Sequence, residues 1–120
     1  MIDKSKKIGM LGEIYAARYL RKKGYEIWAA NYGVKTGEID IAAYDVKNNV
    51  LSFVEVKTRS DGAYFDPREA VTREKEETVK NAAAHYMSRY KLKENYRFDI
   101  IEVIILGDNK VKIRHNINAF

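Results

Sequence analysis

Asp40, Glu55 and Lys57 are the residues of this sequence whose types and spacing could do chemistry. Asp40 stands in Gly37-Glu38-Ile39-Asp40-Ile41-Ala42, and the other two stand one residue apart in Phe53-Val54-Glu55-Val56-Lys57-Thr58-Arg59. Two carboxylates opposed in a sheet repel one another, and a partly buried pair either raises a pKa or demands a cation. A divalent ion removes that conflict. Two carboxylates with a backbone carbonyl and waters make the oxygen-rich, partly hydrated site that Mg²⁺ accepts. A lysine on the same face can then reach an attacking water or a phosphate oxygen. Acids and lysines on the outer face of a hairpin are ordinarily just solvated, so the pattern gains its weight from what else the chain brings to it.

Both segments alternate with the period of a strand. Ile39 and Ile41 share one face, with Glu38 and Asp40 on the other; Val54 and Val56 share one, with Phe53, Glu55 and Lys57 opposite. The link around Lys47-Asn48-Asn49 is short and rich in turn formers, so Gly37 to Arg59 reads as an antiparallel hairpin. A turn at Lys47-Asn48 sets Asp40 opposite Glu55, and one at Asn48-Asn49 sets it opposite Lys57. Either register clusters the three.

Two further charged residues fall on helical stripes. From Lys4 to Lys23, Met10, Ile14, Ala17 and Leu20 recur at helical spacing, and Gly24 stands where a helix stops. Glu13 has Met10, Ala16, Ala17 and Leu20 as its helical neighbours, which is costly for an acid without a partner. It is a candidate third carboxylate, facing the metal directly or through water; reaching solvent or Arg18 is the ordinary alternative. Asp66-Pro67-Arg68-Glu69 starts a second helix, with an N-cap Asp and Pro at the first position, and Thr72 is able to cap a restart. Its apolar line is Val71, Val79, Ala82, Ala83, Tyr86, Met87 and Tyr90. Lys75 occupies that line near the N-terminal end, where it either meets whatever anion sits there or snorkels to solvent.

Tyr25 to Tyr32 reads as a first strand, interior because neither face is strongly polar, and Asn31 to Gly37 as a loop in which Lys35 is a candidate phosphate contact. Thr58 to Phe65 is a polar loop. There Arg59 extends the Glu55 and Lys57 face if the strand runs on, and Tyr64 and Phe65 could stack on bases. Arg97 to Leu106 suits an interior strand, Gly107-Asp108-Asn109 a turn, and Lys110 to Ile117 an edge strand. His85 and His115 lack a second histidine at ligand spacing and read as structural or solvated. The order is α-β-β-β-α-β-β, an α/β chain with one domain over residues 1–120.

At 120 residues, 46% apolar and 32% charged, the composition is that of an ordinary globular domain. Glu102 breaks the longest apolar run, far short of the ~20 residues a membrane span needs. The basic start has no sustained apolar region after it, so it does not read as a signal peptide. The lack of cysteine removes disulfides and thiolate metal sites, which suits a cytoplasmic protein away from membranes. The net charge of +5 lies wholly in the first third: residues 1–35 hold eight Lys/Arg and three Asp/Glu, and residues 36–120 hold fourteen of each. Such a patch suggests a polyanion partner. Arg18, Arg21 and Lys22 on the first helix are its candidate contacts, with Lys35 and Arg59 nearer the hairpin.

Gly-Glu-Ile-Tyr-Ala-Ala-Arg-Tyr-Leu, Gly-Tyr-Glu-Ile, Asn-Tyr, Gly-Glu-Ile-Asp-Ile-Ala and Phe-Val-Glu-Val-Lys-Thr-Arg, in that order, resemble the YraN family of predicted endonucleases. The resemblance runs from about Gly9 to the end of the second helix, and the last strands agree in pattern only. By similarity that family belongs to the PD-(D/E)xK nuclease superfamily, close to Holliday junction resolvases. It implies a restriction-endonuclease-like fold, a mixed five-stranded sheet flanked by helices. Glu13 matches the first-helix acid, Asp40 the metal-binding aspartate, Glu55 and Lys57 the Glu-x-Lys pair, and Lys75 the polar residue of the following helix. The superfamily's proline before the aspartate is replaced by Ile39, as in the YraN pattern itself.

The activity so implied is a Mg²⁺-dependent endodeoxyribonuclease, with Mn²⁺ as a substitute ion. Asp40, Glu55 and the Val56 carbonyl would hold the metal and Glu13 would complete its shell. Lys57 would position or help deprotonate the water, and Lys75 would meet the scissile phosphate. Branched DNA of the kind met in recombination and repair would suit a two-fold homodimer. Two other readings stay open: a nucleic-acid-binding module of the same fold without catalysis, and a protein-interaction domain with a tyrosine-rich surface.

Overall fold

The alternating segments form strands and the two stripes form helices. A computed structural model of the chain describes residues 4–60 and 72–120, with side chains from residue 6. The elements are α1 (Lys4–Lys22), β1 (Tyr25–Val34), β2 (Gly37–Asp45), β3 (Val50–Ser60), α2 (Arg73–Arg89), β4 (Asn95–Gly107) and β5 (Lys110–Asn116). The five strands lie in the order β1-β2-β3-β4-β5, with β3 and β4 parallel and every other pair antiparallel. This is the mixed sheet expected from the sequence. The expected stacking residues Tyr64 and Phe65, the helix start at Asp66 to Glu69 and Val71 lie outside the described residues. Within them α2 begins at the second cap, where the Thr72 hydroxyl accepts the Lys75 N–H at 3.1 Å.

Several expectations are corrected. β1 is an edge strand, not an interior one: it pairs with β2 alone, and its outward residues Glu26, Trp28 and Ala30 are exposed, with Trp28 stacked on Tyr44 at 4.8 Å. The loop read from Asn31 to Gly37 is strand as far as Val34, which leaves only Lys35 and Thr36 between β1 and β2. The face that α1 turns to the sheet is Gly12, Ala16 and Leu20, all buried, whereas Met10 and Ile14 are each 53% exposed. Small residues let a helix approach a sheet closely, so bulk is a poor guide to the contact face.

The sheet separates two cores. On one side Ala16 and Leu20 of α1 meet Ile41, Ala43, Val54, Ile101 and Val103; on the other Val79, Ala82, Ala83 and Tyr86 of α2 meet Ile39, Ala42, Leu51 and Phe53. Ile39 and Ile41 therefore go to opposite faces, against simple alternation. The change of face falls at Asp40, between the rungs Ala30↔Ile41 and Tyr32↔Ile39, while the register irregularity of the β1–β2 pair lies earlier, between Ile27 and Ala29. Asn31 has φ +53, a left-handed conformation that asparagine tolerates better than most residues.

The β2–β3 register is the one that follows from a turn centred on Lys47-Asn48, although the turn spans four residues, Val46 to Asn49. The ladder stops at Ile41↔Val54. Beyond it β2 stays with β1 to Gly37, and β3 stays with β4 to Ser60, so the sheet forks. A helix rests on each prong. A Cβ on Gly12 of α1 would overlap the Thr58 side chain of β3, and one on Gly37 of β2 would overlap the Thr78 backbone of α2.

Away from the fork, Asp99 ties the other end together. It accepts from the Ser52 hydroxyl at 2.7 Å, the Asn118 N–H at 3.0 Å and Arg97 Nε at 3.1 Å, and lies 2.8 Å from His115 Nε2. Arg97 also reaches Asp45 at 3.2 Å and the Tyr25 hydroxyl at 2.7 Å, so one guanidinium links β1, β2 and β4.

Gly12→Ala should cost about 1–3 kcal/mol of stability by overpacking, even though alanine in an open helix position gains ~1 kcal/mol over glycine. Thr58→Ala added to it should recover part of the loss in a thermal-melt double-mutant cycle. A Gly12→Ala protein more stable than the parent would contradict this packing.

Candidate active site

A sheet ordinarily keeps side chains of helices on its two faces apart by a full layer on each side. The fork removes that barrier. Its opening is a cleft of about 550 Å³ lined by Glu13 of α1, Asp40 of β2, Glu55, Lys57 and Arg59 of β3, and Lys75 of α2. Val56 lines it too.

Asp40 stands where β2 leaves β3, and its Oδ2 accepts the Val56 N–H at 2.8 Å, a carboxylate in the place of a strand carbonyl. Burial pushes this carboxyl above its usual range; the Val56 amide, Lys75 and Lys57 draw it back only in part. Glu55 is 1% exposed. Its Oε2 lies 3.6 Å from Lys75 Nζ, while its buried Oε1 has no hydrogen-bond partner among the described residues. Burial first, and the Asp40 charge second, raise Glu55 to about 7. Glu13 is raised by burial and by Asp40, against a hydrogen bond from the Asn31 side chain.

Three carboxyls raised together around one opening are what a site for a cation looks like without its ion's charge. The buried Glu55 oxygen without a hydrogen-bond partner among the described residues has the chemistry of a metal donor, and the Asp40, Glu55 and Val56 oxygens suit a hard ion that keeps several waters. Among the described residues no three His, Cys, Asp or Glu side chains come close enough to enclose an ion by themselves. Glu13 lines the same cleft, engaged with the Asn31 side chain.

The expected phosphate contacts divide into groups. β3 does extend to Ser60, which carries Arg59 to the cleft. Lys35, in the β1–β2 turn, borders a neighbouring hollow with Lys75 and Thr78. Arg21 lines a second groove that shares Glu13 with the cleft. Arg18 and Lys22 lie elsewhere, in a groove with Tyr15, Tyr19 and the β4–β5 turn. His85 lies 2.6 Å from the Tyr32 hydroxyl, and His115 belongs to the Asp99 network.

Reading the sequence missed Asn31, whose left-handed backbone and side chain bear on Asp40 and Glu13. It also missed Gly12 and Gly37, which seat the helices carrying Glu13 and Lys75. Glu102 had stood out only as a break in an apolar run. It is fully buried, across from Lys57 in the parallel register and 3.9 Å from Arg114 Nη1.

The pattern that defines the uncharacterised protein family UPF0102 matches residues 12–103. A UPF0102 protein of Alkaliphilus oremlandii is 45% identical over 119 residues, covering 97% of this chain and 99% of its own length. One from Alkaliphilus metalliredigens is 47% identical over 117 residues with the same coverage. One from Clostridium perfringens is 43% identical over 100 residues, covering 82% of this chain and 80% of its own.

Because the folded protein holds the Glu55 proton more tightly than the unfolded chain does, burial of this group costs nothing at low pH. The cost grows as pH rises through about 7, to about 3 kcal/mol above it. In metal-free urea titrations, Glu55→Gln should therefore be more stable than the parent near pH 8, and the difference should vanish near pH 4. A variant no more stable than the parent at pH 8 would contradict the assignment.

Proposed function

This chain belongs to the uncharacterised protein family UPF0102, which is the YraN family its motifs resemble, and from the cleft we propose its function: hydrolysis of phosphodiester bonds in DNA with a divalent metal ion. The observation that carries this reading is the meeting of Asp40, Glu55, Lys57 and Lys75 at one opening, where a buried glutamate oxygen lacks a hydrogen bond among the described residues.

Asp40, Glu55 and the Val56 carbonyl would hold Mg²⁺ or Mn²⁺, with Glu13 contributing through water. Such an ion, when bound, neutralises charge on the phosphate and makes a water more acidic. Lys57, two residues beyond Glu55 on the same strand, orients the attacking water and takes up part of the growing negative charge. Lys75 comes from α2, which packs on the face of the sheet that carries Phe53 and Glu55, and its ammonium group, 3.6 Å from Glu55, would move onto a phosphate oxygen. Arg59 and Lys35 continue the cationic rim and hold the backbone of the strand, a contact that weakens as salt rises.

Binding without cleavage is the second reading, and it is favoured by the lack, among the described residues, of any three His, Cys, Asp or Glu side chains grouped to hold an ion. One experiment separates the two. Purified protein is incubated with branched and linear DNA in Mg²⁺ or Mn²⁺, beside Asp40→Asn and Glu55→Ala. Cleavage by the parent should fall at least about a hundredfold in both variants, the loss expected when several kcal/mol of transition-state stabilisation go. Equal cleavage by parent and variants would point to a contaminant and reject the assignment, and salt-sensitive binding with no cleavage would establish the second reading.

A further inference from the structure

The groove that shares Glu13 with the cleft is largely apolar, has a volume of about 330 Å³, and runs between α1 and the β1 edge of the sheet, where Ile27 and Ala30 form its other wall. Met10 and Ile14 line it, each half exposed, above Ala17 and the buried Ile41; Arg21 stands in it as well. These large side chains are outside because the Gly12, Ala16 and Leu20 line takes the sheet. Neighbouring exposed apolar groups beside a charged site mark a contact surface.

The charge on α1 selects the occupant. Arg21 stands in the groove itself, and its helix carries one acid, Glu13, against Lys6, Lys7, Arg18 and Lys22, the last two of which face another groove. A second copy laid along it would bring like charges together, whereas a polyanion is drawn to it. Arg21 lies eight residues from Glu13, about 12 Å along the helix, so a strand with a phosphate in the cleft passes the apolar wall and then meets a guanidinium. Paired and stacked bases offer that wall nothing, because their faces are covered. A base that is already unpaired has a bare apolar face and carries little of the unstacking cost.

We propose that the Met10 and Ile14 groove seats an unpaired base of the bound strand, next to the phosphate held in the cleft. The preferred substrate is then nucleic acid with unpaired nucleotides, as at a flap, loop or opened junction, in preference to continuous duplex. The inference rests on the nuclease reading for the position of the phosphate, and its test is made without metal so that the two can fail separately.

The full chain in EDTA is titrated against a continuous duplex and against the same duplex carrying two unpaired 2-aminopurines, followed by their fluorescence and by anisotropy of an end label. The expected result is roughly tenfold tighter binding of the second DNA, with a change in aminopurine emission, as loss of one stacked base commonly produces. In the double variant Met10→Ser and Ile14→Ser, both sites being exposed, the preference and the emission change should disappear while the melting temperature holds. Equal affinity for the two DNAs, no binding at all, or a preference that survives the double substitution would overturn the proposal. A preference abolished by the substitutions, in a protein that cuts nothing in Mn²⁺, would support the groove and reject the nuclease reading.

Discussion

The fork between β2 and β3 is the constraint on which the rest depends. Two strands that stayed paired to their ends would form a continuous wall, and side chains from α1 and α2 would never meet. The ladder ends at Ile41↔Val54, and the Asp40 carboxylate takes the Val56 amide that a neighbouring strand would otherwise satisfy. Each prong is then held apart from the other by a helix seated without a Cβ between them, at Gly12 against Thr58 and at Gly37 against Thr78. Asn31, in its left-handed conformation across from Asp40, lets β1 and β2 bend away together. The opening is thus a feature of backbone pairing first and of side-chain chemistry second.

Two buried carboxylate centres in this small sheet show opposite electrostatics. Around Asp99, His115, the Asn118 amide, Ser52 and Arg97 together outweigh the effect of burial and hold the carboxyl below its usual range. It therefore stabilises the fold at neutral pH, and that contribution is lost as acid protonates it. Around Asp40 and Glu55, burial wins, and both carboxyls are raised. A structural network satisfies its acid; the cleft leaves its acids short of partners, which is costly for the fold and useful to a cation. The hairpin end of the sheet, tied by Arg97 and Asp99, offsets the strain of charge at the forked end.

Much of this was legible in the residues. Period-two alternation placed Asp40, Glu55 and Lys57 on neighbouring strands, and the charge of Lys75 on an apolar stripe pointed inward, where it does meet Glu55. What escaped was whatever depends on small residues or on backbone conformation. Hydrophobic periodicity counts large side chains, so it chose Met10 and Ile14 over Gly12 and Ala16 as the buried line of α1, although closeness of approach decides that contact. Alternation also assumes an unbroken strand, so the exchange of faces between Ile39 and Ile41 was not visible in the pattern of residue types. β1 looked interior because both its faces carry apolar groups, yet no described strand pairs beyond it.

The most direct test is a Mn²⁺ titration of the purified chain, followed by the electron paramagnetic resonance of the free ion and by proton release at pH 7. The account predicts about one ion bound per chain, release of part of a proton as the raised Glu55 ionises, and loss of both signals in Asp40→Asn. Binding unaltered by Asp40→Asn, or no binding by the parent chain, would contradict it.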